Sequence, residues 1–132
     1  MNCLLDTHVL IWSHVSPNKL SKDIKKILED NENTLYVSVI SLWEISLKHS
    51  LGKLSIKGAA PEEFYEYSLK AGLKIVDIDA TTSVSFYKLA KFSNKDPFDR
   101  MLAWQAIQSN YVLLTQDKGF LDYQQQGLKI IL

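Results

Sequence analysis

The chain has little cysteine, glycine and proline and no long apolar run, and each of these absences excludes a class of protein. Its 132 residues contain one cysteine, Cys3, so neither an internal disulfide framework nor a multi-cysteine zinc site is available. A reducing cytoplasm is therefore the expected compartment. Five glycines and three prolines exclude a collagen-like or low-complexity chain. No apolar run reaches the roughly 20 residues of a membrane span, and no basic segment precedes an apolar one as in a signal peptide.

Neither sign of charge is in excess, because 15 basic residues balance 15 acidic ones. This balance argues against a wholly basic nucleic-acid-binding surface, although it allows a local site. The length fits a single domain, residues 1–132, that buries roughly two-thirds of the surface its unfolded chain exposes. The positions of the acids are consequently more informative than their sum.

Short apolar segments alternate with stretches of helical spacing. The helical sets begin at Leu20, Leu42, Phe64, Val84 and Met101. Strands that alternate with helices predict parallel βα units, and hence a three-layer α/β/α domain with a small central parallel sheet. In such sheets, sites form beyond the carboxyl ends of the strands. The predicted strands are Asn2–Leu5, Leu35–Ser38, Lys74–Ile78, Tyr111–Thr115 and Lys129–Leu132.

Four acids follow strands or begin helices, where sites are expected. Asp6 comes directly after the first strand, and Asp117 follows the fourth. Glu44 lies on the helix after the second strand, and Asp99 in the first turn of the helix that Asp96 opens. A carboxylate directly after a buried strand, as at Asp6, needs a partner or a cation.

Local helix chemistry explains some of these acids equally well. Glu44 lies three residues after Ser41, which is the spacing of a capping box. Asp96 followed by Pro97 fits an N-cap and first helical residue. Asp117 is suited to cap a short turn before Phe120.

Several converging carboxylates would repel one another and raise their own pKa values, and a divalent cation removes that conflict. Oxygen ligands favour Mg²⁺ or Mn²⁺ over zinc. The histidines at positions 8, 14 and 49 lack a facing pair and are interpreted as surface or partly buried residues. A carboxylate-held Mg²⁺ polarises phosphate and lowers the pKa of a water, which is the chemistry of phosphodiester hydrolysis.

Four short motifs containing these acids follow one another over nearly the whole chain. They are Leu4-Leu5-Asp6-Thr7-His8, Ser41-Leu42-Trp43-Glu44-Ile45, Asp96-Pro97-Phe98-Asp99-Arg100 and Leu114-Thr115-Gln116-Asp117. In this order they resemble the PIN-domain ribonucleases, and in particular the VapC-type toxins of type II toxin–antitoxin pairs. The chain departs from many members of that family in having Ser93-Asn94-Lys95, where they carry a histidine.

The resemblance implies a Mg²⁺-dependent endoribonuclease that hydrolyses RNA phosphodiesters with a metal-activated water. It implies that the catalytic and metal-binding carboxylates are Asp6, Glu44, Asp99 and Asp117. The implied partners are RNA, a second copy of the chain as a homodimer, and a VapB-like antitoxin.

Other residues are accessory candidates. Asp96 is interpreted as a cap or an additional ligand, and Thr115 as a hydrogen-bonding residue at the site. Arg100, the only arginine, is interpreted either as a contact to phosphate or the acids or as one half of a surface ion pair. Residues 48–57 carry three lysines, including Lys57, and no acid. The candidate RNA-binding rim is Lys48, Lys53, Lys95 and Lys118, with solvated lysines as the alternative.

Aromatic residues are candidates for an apolar groove that docks the antitoxin. These residues are Trp12, Trp43, Phe64, Tyr65 and Tyr67, with Trp43 favoured as core instead.

Competing classes fit the pattern less well. A receiver domain normally has paired acids after its first strand, and a haloacid-dehalogenase phosphatase has a second Asp where His8 stands. No glycine-rich phosphate loop is present. A PIN-fold nuclease of RNA processing or of DNA, and a catalytically silent PIN-like binding domain, stay open as alternatives.

Overall fold

A computed structural model describes residues 1–54 and 58–132, so Lys57 lies outside the described residues. Its five strands follow the sequence prediction closely. They are β1 (Asn2–Leu5), β2 (Thr34–Ser38), β3 (Lys74–Val76), β4 (Val112–Leu114) and β5 (Lys129–Ile131).

The six α-helices between these strands are each longer than any of the strands. They are α1 (Thr7–Val15), α2 (Lys22–Glu29), α3 (Val39–Ser50), α4 (Pro61–Lys70), α5 (Ala80–Ser85) and α6 (Pro97–Ser109). Short 3₁₀ segments span Pro17–Lys19, Phe86–Lys88 and Lys118–Gln126. Within the described residues, no helix is both long and apolar enough to cross a bilayer.

All four strand pairings are parallel, and the strand order is β3-β2-β1-β4-β5. The central strand β1 pairs with β2 on one side and with β4 on the other, with Cys3 opposite both Leu35 and Val112. The chain leaves β1 toward β2 and later returns on the other side at β4. This reversal of strand order creates a crevice at the carboxyl ends of β1 and β4.

Both faces of the sheet are covered, as the predicted three-layer fold requires. Cys3 and Leu5 of β1 pack into one apolar cluster with residues from α1, α2 and α4. Leu4 packs into a second cluster on the opposite face, with α6 and the segment Lys118–Gln126. Alternate side chains of a strand point to opposite faces, so a strand buried on both faces is apolar throughout.

Helix α6 begins as its sequence predicts. The Asp96 carboxylate accepts hydrogen bonds from the backbone N–H groups of Phe98 and Asp99, and Pro97 occupies the first turn. Its last residue is Ser109, and the C-cap that follows, Asn110, adopts the left-handed conformation with φ 56°. This N-cap fixes the start of the helix, and therefore the direction in which the Asp99 side chain projects from its first turn.

Three local predictions are wrong. Helix α3 is capped by Ser38 and begins at Val39, so Glu44 lies in mid-helix and Ser41–Glu44 is not a capping box. Trp43, favoured as core, is 60% exposed. The helical set predicted from Val84 does not form one buried helical stripe, because Val84 is 75% exposed and helix α5 ends at Ser85, whereas Leu89, beyond that helix, is buried in the core.

Candidate metal centre

An acidic pocket occupies the crevice at the carboxyl ends of β1 and β4. Its volume is about 310 Å³. Strand ends, mid-helix α3 and the first turn of α6 each contribute carboxylates to it. The acids that line this pocket are Asp6, Glu44, Asp96, Asp99 and Asp117, and Thr7, His8 and Lys48 also line it.

The Asp6 carboxylate is almost fully buried, with 2% of the residue exposed, and is held by three donors. Its Oδ1 accepts the backbone N–H of Thr7 at 2.7 Å. Its Oδ2 accepts the hydroxyl of Thr115 at 2.7 Å and lies 3.0 Å from Nδ1 of His8. These donors supply the partners that a carboxylate directly after a buried strand requires.

Thr115 connects the ends of β1 and β4. Its hydroxyl donates to Asp6 and accepts the backbone N–H of Asp117 at 3.0 Å. The Asp117 carboxylate in turn accepts the N–H of Gly119 at 2.8 Å and caps the following 3₁₀ segment. A Cβ on Gly119 would lie 3.0 Å from Asp117 Oδ1, so glycine allows this close approach.

His8 is bonded on both ring nitrogens. Its Nε2 accepts the backbone N–H of Gln116 at 3.0 Å, so the ring proton lies on Nδ1, which faces Asp6. Burial lowers the pKa of His8, but the hydrogen bond to Asp6 and the charges of Asp6, Asp117 and Asp99 raise it by more. Protonation would nevertheless end the acceptance from Gln116, and the geometry therefore corresponds to a neutral imidazole. His8 orients Asp6, a role that its sequence position did not predict.

The Glu44 carboxylate is also buried, with 4% of the residue exposed. Its Oε2 accepts a hydrogen bond from the Lys48 ammonium one turn along α3. Burial lowers the pKa of Lys48, yet the hydrogen bond and charge of Glu44 outweigh it and raise the pKa above its ordinary value. The other oxygen, Oε1, is buried and has no hydrogen-bond partner among the described residues.

The Asp99 carboxyl has a raised pKa. Burial, followed by repulsion from Asp6, raises the pKa of its carboxyl to about 7, although a hydrogen bond from Asn94 opposes this. Asn94 Nδ2 donates to Asp99 Oδ2 at 3.1 Å, and Asn94 Oδ1 accepts the N–H of Asp96 at 3.0 Å. Asn94 therefore supplies a neutral donor to this acid.

The donor set of the pocket fits a hard divalent cation. Carboxylate oxygens are what Mg²⁺ and Mn²⁺ prefer, and the unpartnered Glu44 Oε1 offers one in a buried position. Across residues 1–54 and 58–132, however, no three acidic, His or Cys side chains are already gathered into a ligand set. Each carboxylate instead accepts hydrogen bonds from a donor beside it, because the negative charges of the acids repel one another.

The lysines proposed as a rim have different surroundings. Lys48 is bound to Glu44 inside the acidic pocket, whereas Lys95 lines a neighbouring cavity. Lys53 and Lys118 are exposed.

Arg100 points away from the acids. Its guanidinium donates to the backbone oxygens of Leu89 and Ala90 and to Tyr123 Oη, at 3.2 to 3.3 Å. It forms no ion pair with any residue that the structure describes. The interpretations of Arg100 as a surface ion pair or a contact to the acids are therefore wrong.

The aromatic candidates do not form one groove. Phe64 is fully buried in the core and cannot dock a partner. Trp12 and Tyr67 pack at the margin of the same core cluster, and Tyr65 is 47% exposed. Trp43 lies elsewhere, against the edge of the Phe98 ring at a centroid distance of 5.3 Å.

Fold and pocket together define a class: a three-layer α/β protein with an acidic pocket at the switch point of a parallel sheet. The family model described as PIN domain matches residues 3–125. The chain therefore belongs to the PIN domain family, as its motifs predict.

Named relatives are similar over nearly the whole chain. Ribonuclease VapC22 of Mycobacterium tuberculosis is 26% identical over 115 residues, which cover 87% of this chain and 86% of the relative. The structure of VapBC2 from Rickettsia felis, bound to a DNA fragment from its promoter, matches with a TM-score of 0.68, 20% identity and coverage of 99% and 98%. VapBC-1 from nontypeable Haemophilus influenzae matches with a TM-score of 0.65, 18% identity and coverage of 99% and 97%. At these identities the solved structures support the fold.

Proposed function

We propose that the chain is a Mg²⁺- or Mn²⁺-dependent endoribonuclease and the toxin of a type II toxin–antitoxin pair. The observation that carries the proposal is the convergence of Asp6, Glu44, Asp99 and Asp117 on one pocket at the sheet crevice. The similarity to a protein named as a ribonuclease of the VapC group supports RNA as the substrate.

The same carboxylates would hold the cation. Bound Mg²⁺ supplies charge neutralisation for the phosphodiester and activation of water. The chain's own contribution is orientation: Thr115 and His8 hold the Asp6 carboxylate, and Asn94 holds that of Asp99. Lys48 neutralises part of the negative charge of the pocket through Glu44.

The Cys3 thiol does not compete with water as the nucleophile in this proposal. The Cys3 thiol is fully buried in β1, and burial raises its pKa. A buried thiol of raised pKa is a poor nucleophile at neutral pH.

Asp6→Asn tests the assignment directly. The amide keeps the shape of the side chain but removes the charge, so we expect RNA cleavage in Mg²⁺ to fall by about a hundredfold or more. Asp122→Asn, which changes an exposed acid of the segment Lys118–Gln126, is the matched control and should retain activity. Full cleavage by purified, Mg²⁺-loaded Asp6→Asn protein would contradict the assignment.

The partner part of the proposal rests on the similarity in fold to VapBC-5 from Mycobacterium tuberculosis, whose structure is described as a member of the VapBC family of toxin–antitoxin systems. We propose a small antitoxin as the partner and a homodimer as the assembly. Co-expression with the product of the adjacent reading frame, followed by size-exclusion chromatography with light scattering, tests both. A monomer that never co-purifies with that product would contradict this part alone.

A further inference from the structure

A second cavity lies beside the acidic pocket and is lined by groups of the opposite charge. Its volume is about 240 Å³, and its lining residues are Lys91, Phe92, Asn94, Lys95 and Arg100. No acid lines it. We refer to it as the basic cavity.

Arg100 gives the basic cavity a positive charge that no carboxylate balances. The guanidinium is half-buried, and its Nε and Nη2 groups donate only to backbone oxygens and to the Tyr123 hydroxyl. Its Nη1 group makes no hydrogen bond to any residue that the structure describes. A partly desolvated guanidinium with free donors is a strong binding group for phosphate.

Two lysines add to this charge. Exposure alternates along the irregular segment before α6, with Lys91, Ser93 and Lys95 exposed and Phe92 and Asn94 half-buried. Neither lysine forms an ion pair within residues 1–54 and 58–132. Both ammonium groups are therefore available to an anion at the mouth of the cavity.

The basic cavity and the acidic pocket share a wall. Asn94 lines the basic cavity, while its Nδ2 donates to Asp99 Oδ2 in the acidic pocket at 3.1 Å. A strand whose phosphate lies at the acids would therefore have its next phosphates within reach of the basic cavity.

We propose that the basic cavity binds a phosphate of the RNA strand that flanks the phosphodiester to be cleaved. This inference rests on the proposed function, since it assigns that substrate a second binding point. Arg100 and the two lysines are binding residues here, and none of them takes part in the chemical step.

The test compares two pairs of lysine substitutions with the same change in net charge. Lys91→Gln with Lys95→Gln removes the charge at the basic cavity. Lys70→Gln with Lys74→Gln is the control, because Lys70 ends α4 and Lys74 begins β3 at the opposite edge of the sheet. All four lysines are exposed, so the substitutions should not disturb folding.

The probe is a fluorescently labelled, mixed-sequence single-stranded RNA, titrated in Mg²⁺ and followed by anisotropy over a range of KCl concentrations. Asp6→Asn serves as the background for both pairs, so that cleavage of the RNA is suppressed during the titration. We expect the Lys91/Lys95 pair to bind about tenfold more weakly. For this pair, the slope of the logarithm of the RNA association constant against the logarithm of the KCl concentration should be shallower than for the parent. The difference should be about 0.7 for each RNA phosphate that the protein no longer neutralises.

Cleavage kinetics without the Asp6 substitution provide a second measurement. The Lys91/Lys95 pair should raise KM more than it lowers kcat, because these lysines serve substrate binding and not the chemical step. If both pairs match the parent in affinity and salt slope while the parent cleaves RNA, the basic cavity is not a phosphate site and the proposed function stands. If the unsubstituted chain neither binds nor cleaves RNA, both proposals fail.

Discussion

Thr115→Val probes the connection between the two central strands. Valine has the shape of threonine but no hydroxyl, and position 115 is fully buried. The substitution removes the 2.7 Å donor to Asp6 and the 3.0 Å acceptor for the Asp117 N–H in one step. The folded state should become less stable, because the buried Asp6 carboxylate loses one of its hydrogen-bond donors.

The magnitude follows from these two hydrogen bonds. A hydrogen bond to a charged group contributes about 1.5 to 3 kcal/mol, and the amide of the exposed Asp117 adds less because water can reach it. We therefore expect Thr115→Val to lower the free energy of unfolding by about 2 to 3 kcal/mol. Thr115→Ser keeps the hydroxyl and loses one methyl group, which costs about 1 kcal/mol.

Equilibrium urea unfolding of the metal-free protein measures the difference. The valine variant should be less stable than the serine variant at an unchanged m-value. In an Asp6→Asn background the valine penalty should shrink, because the hydroxyl no longer donates to a carboxylate. A valine variant as stable as the serine variant would refute the structural role of this hydroxyl.

Two further predictions concern the metal and pH. Mg²⁺ at a hundred times its Kd should stabilise the folded chain by about 2.7 kcal/mol, which is measured as a rise in Tm. The Asp99→Asn variant should show a smaller rise in Tm than the parent chain. An equal rise in the variant and the parent would show that Asp99 is not a metal ligand. The pKa of Asp79 is held below its ordinary value by hydrogen bonds from Thr82, since Asp79 caps α5. Its stabilising effect should therefore be present above the ordinary pKa of aspartate and be lost as pH falls through the lower folded value. Asparagine can still cap the helix but does not titrate, so Asp79→Asn should reduce the fall in Tm at acidic pH. An unchanged fall in Tm at acidic pH would contradict the assignment.

The sheet could be predicted because its signal is local. Each strand is a short apolar segment, and each predicted segment overlaps the observed strand, with β1 matching at both ends. Helix α1 was not predicted. Its residues Val9 and Leu10 are buried and Ile11 and Trp12 half-buried, so no polar face marks a helical period.

That these acids would line one pocket was predictable from topology and not from any single motif. Asp6 and Asp117 follow parallel strands that prove to be neighbours, β1 and β4, so both reach the same crevice. The sequence could not choose between cap and pocket for Asp96, which both caps α6 and lines the pocket. A side chain at a helix N-terminus can do both when that terminus faces the site.

By itself, the sequence determined the alternation of strands and helices, the N-cap of α6, the acids that follow the strands and membership of the PIN domain family. Only the tertiary structure decided which way side chains point. In it, Arg100 donates hydrogen bonds to the carbonyls of Leu89 and Ala90, and Trp43 is exposed. Thr115 donates a hydrogen bond to Asp6, which lies 109 positions away in the sequence. Periodicity and capping arise from neighbours in the chain, whereas burial and pairing depend on elements that meet only when the sheet assembles.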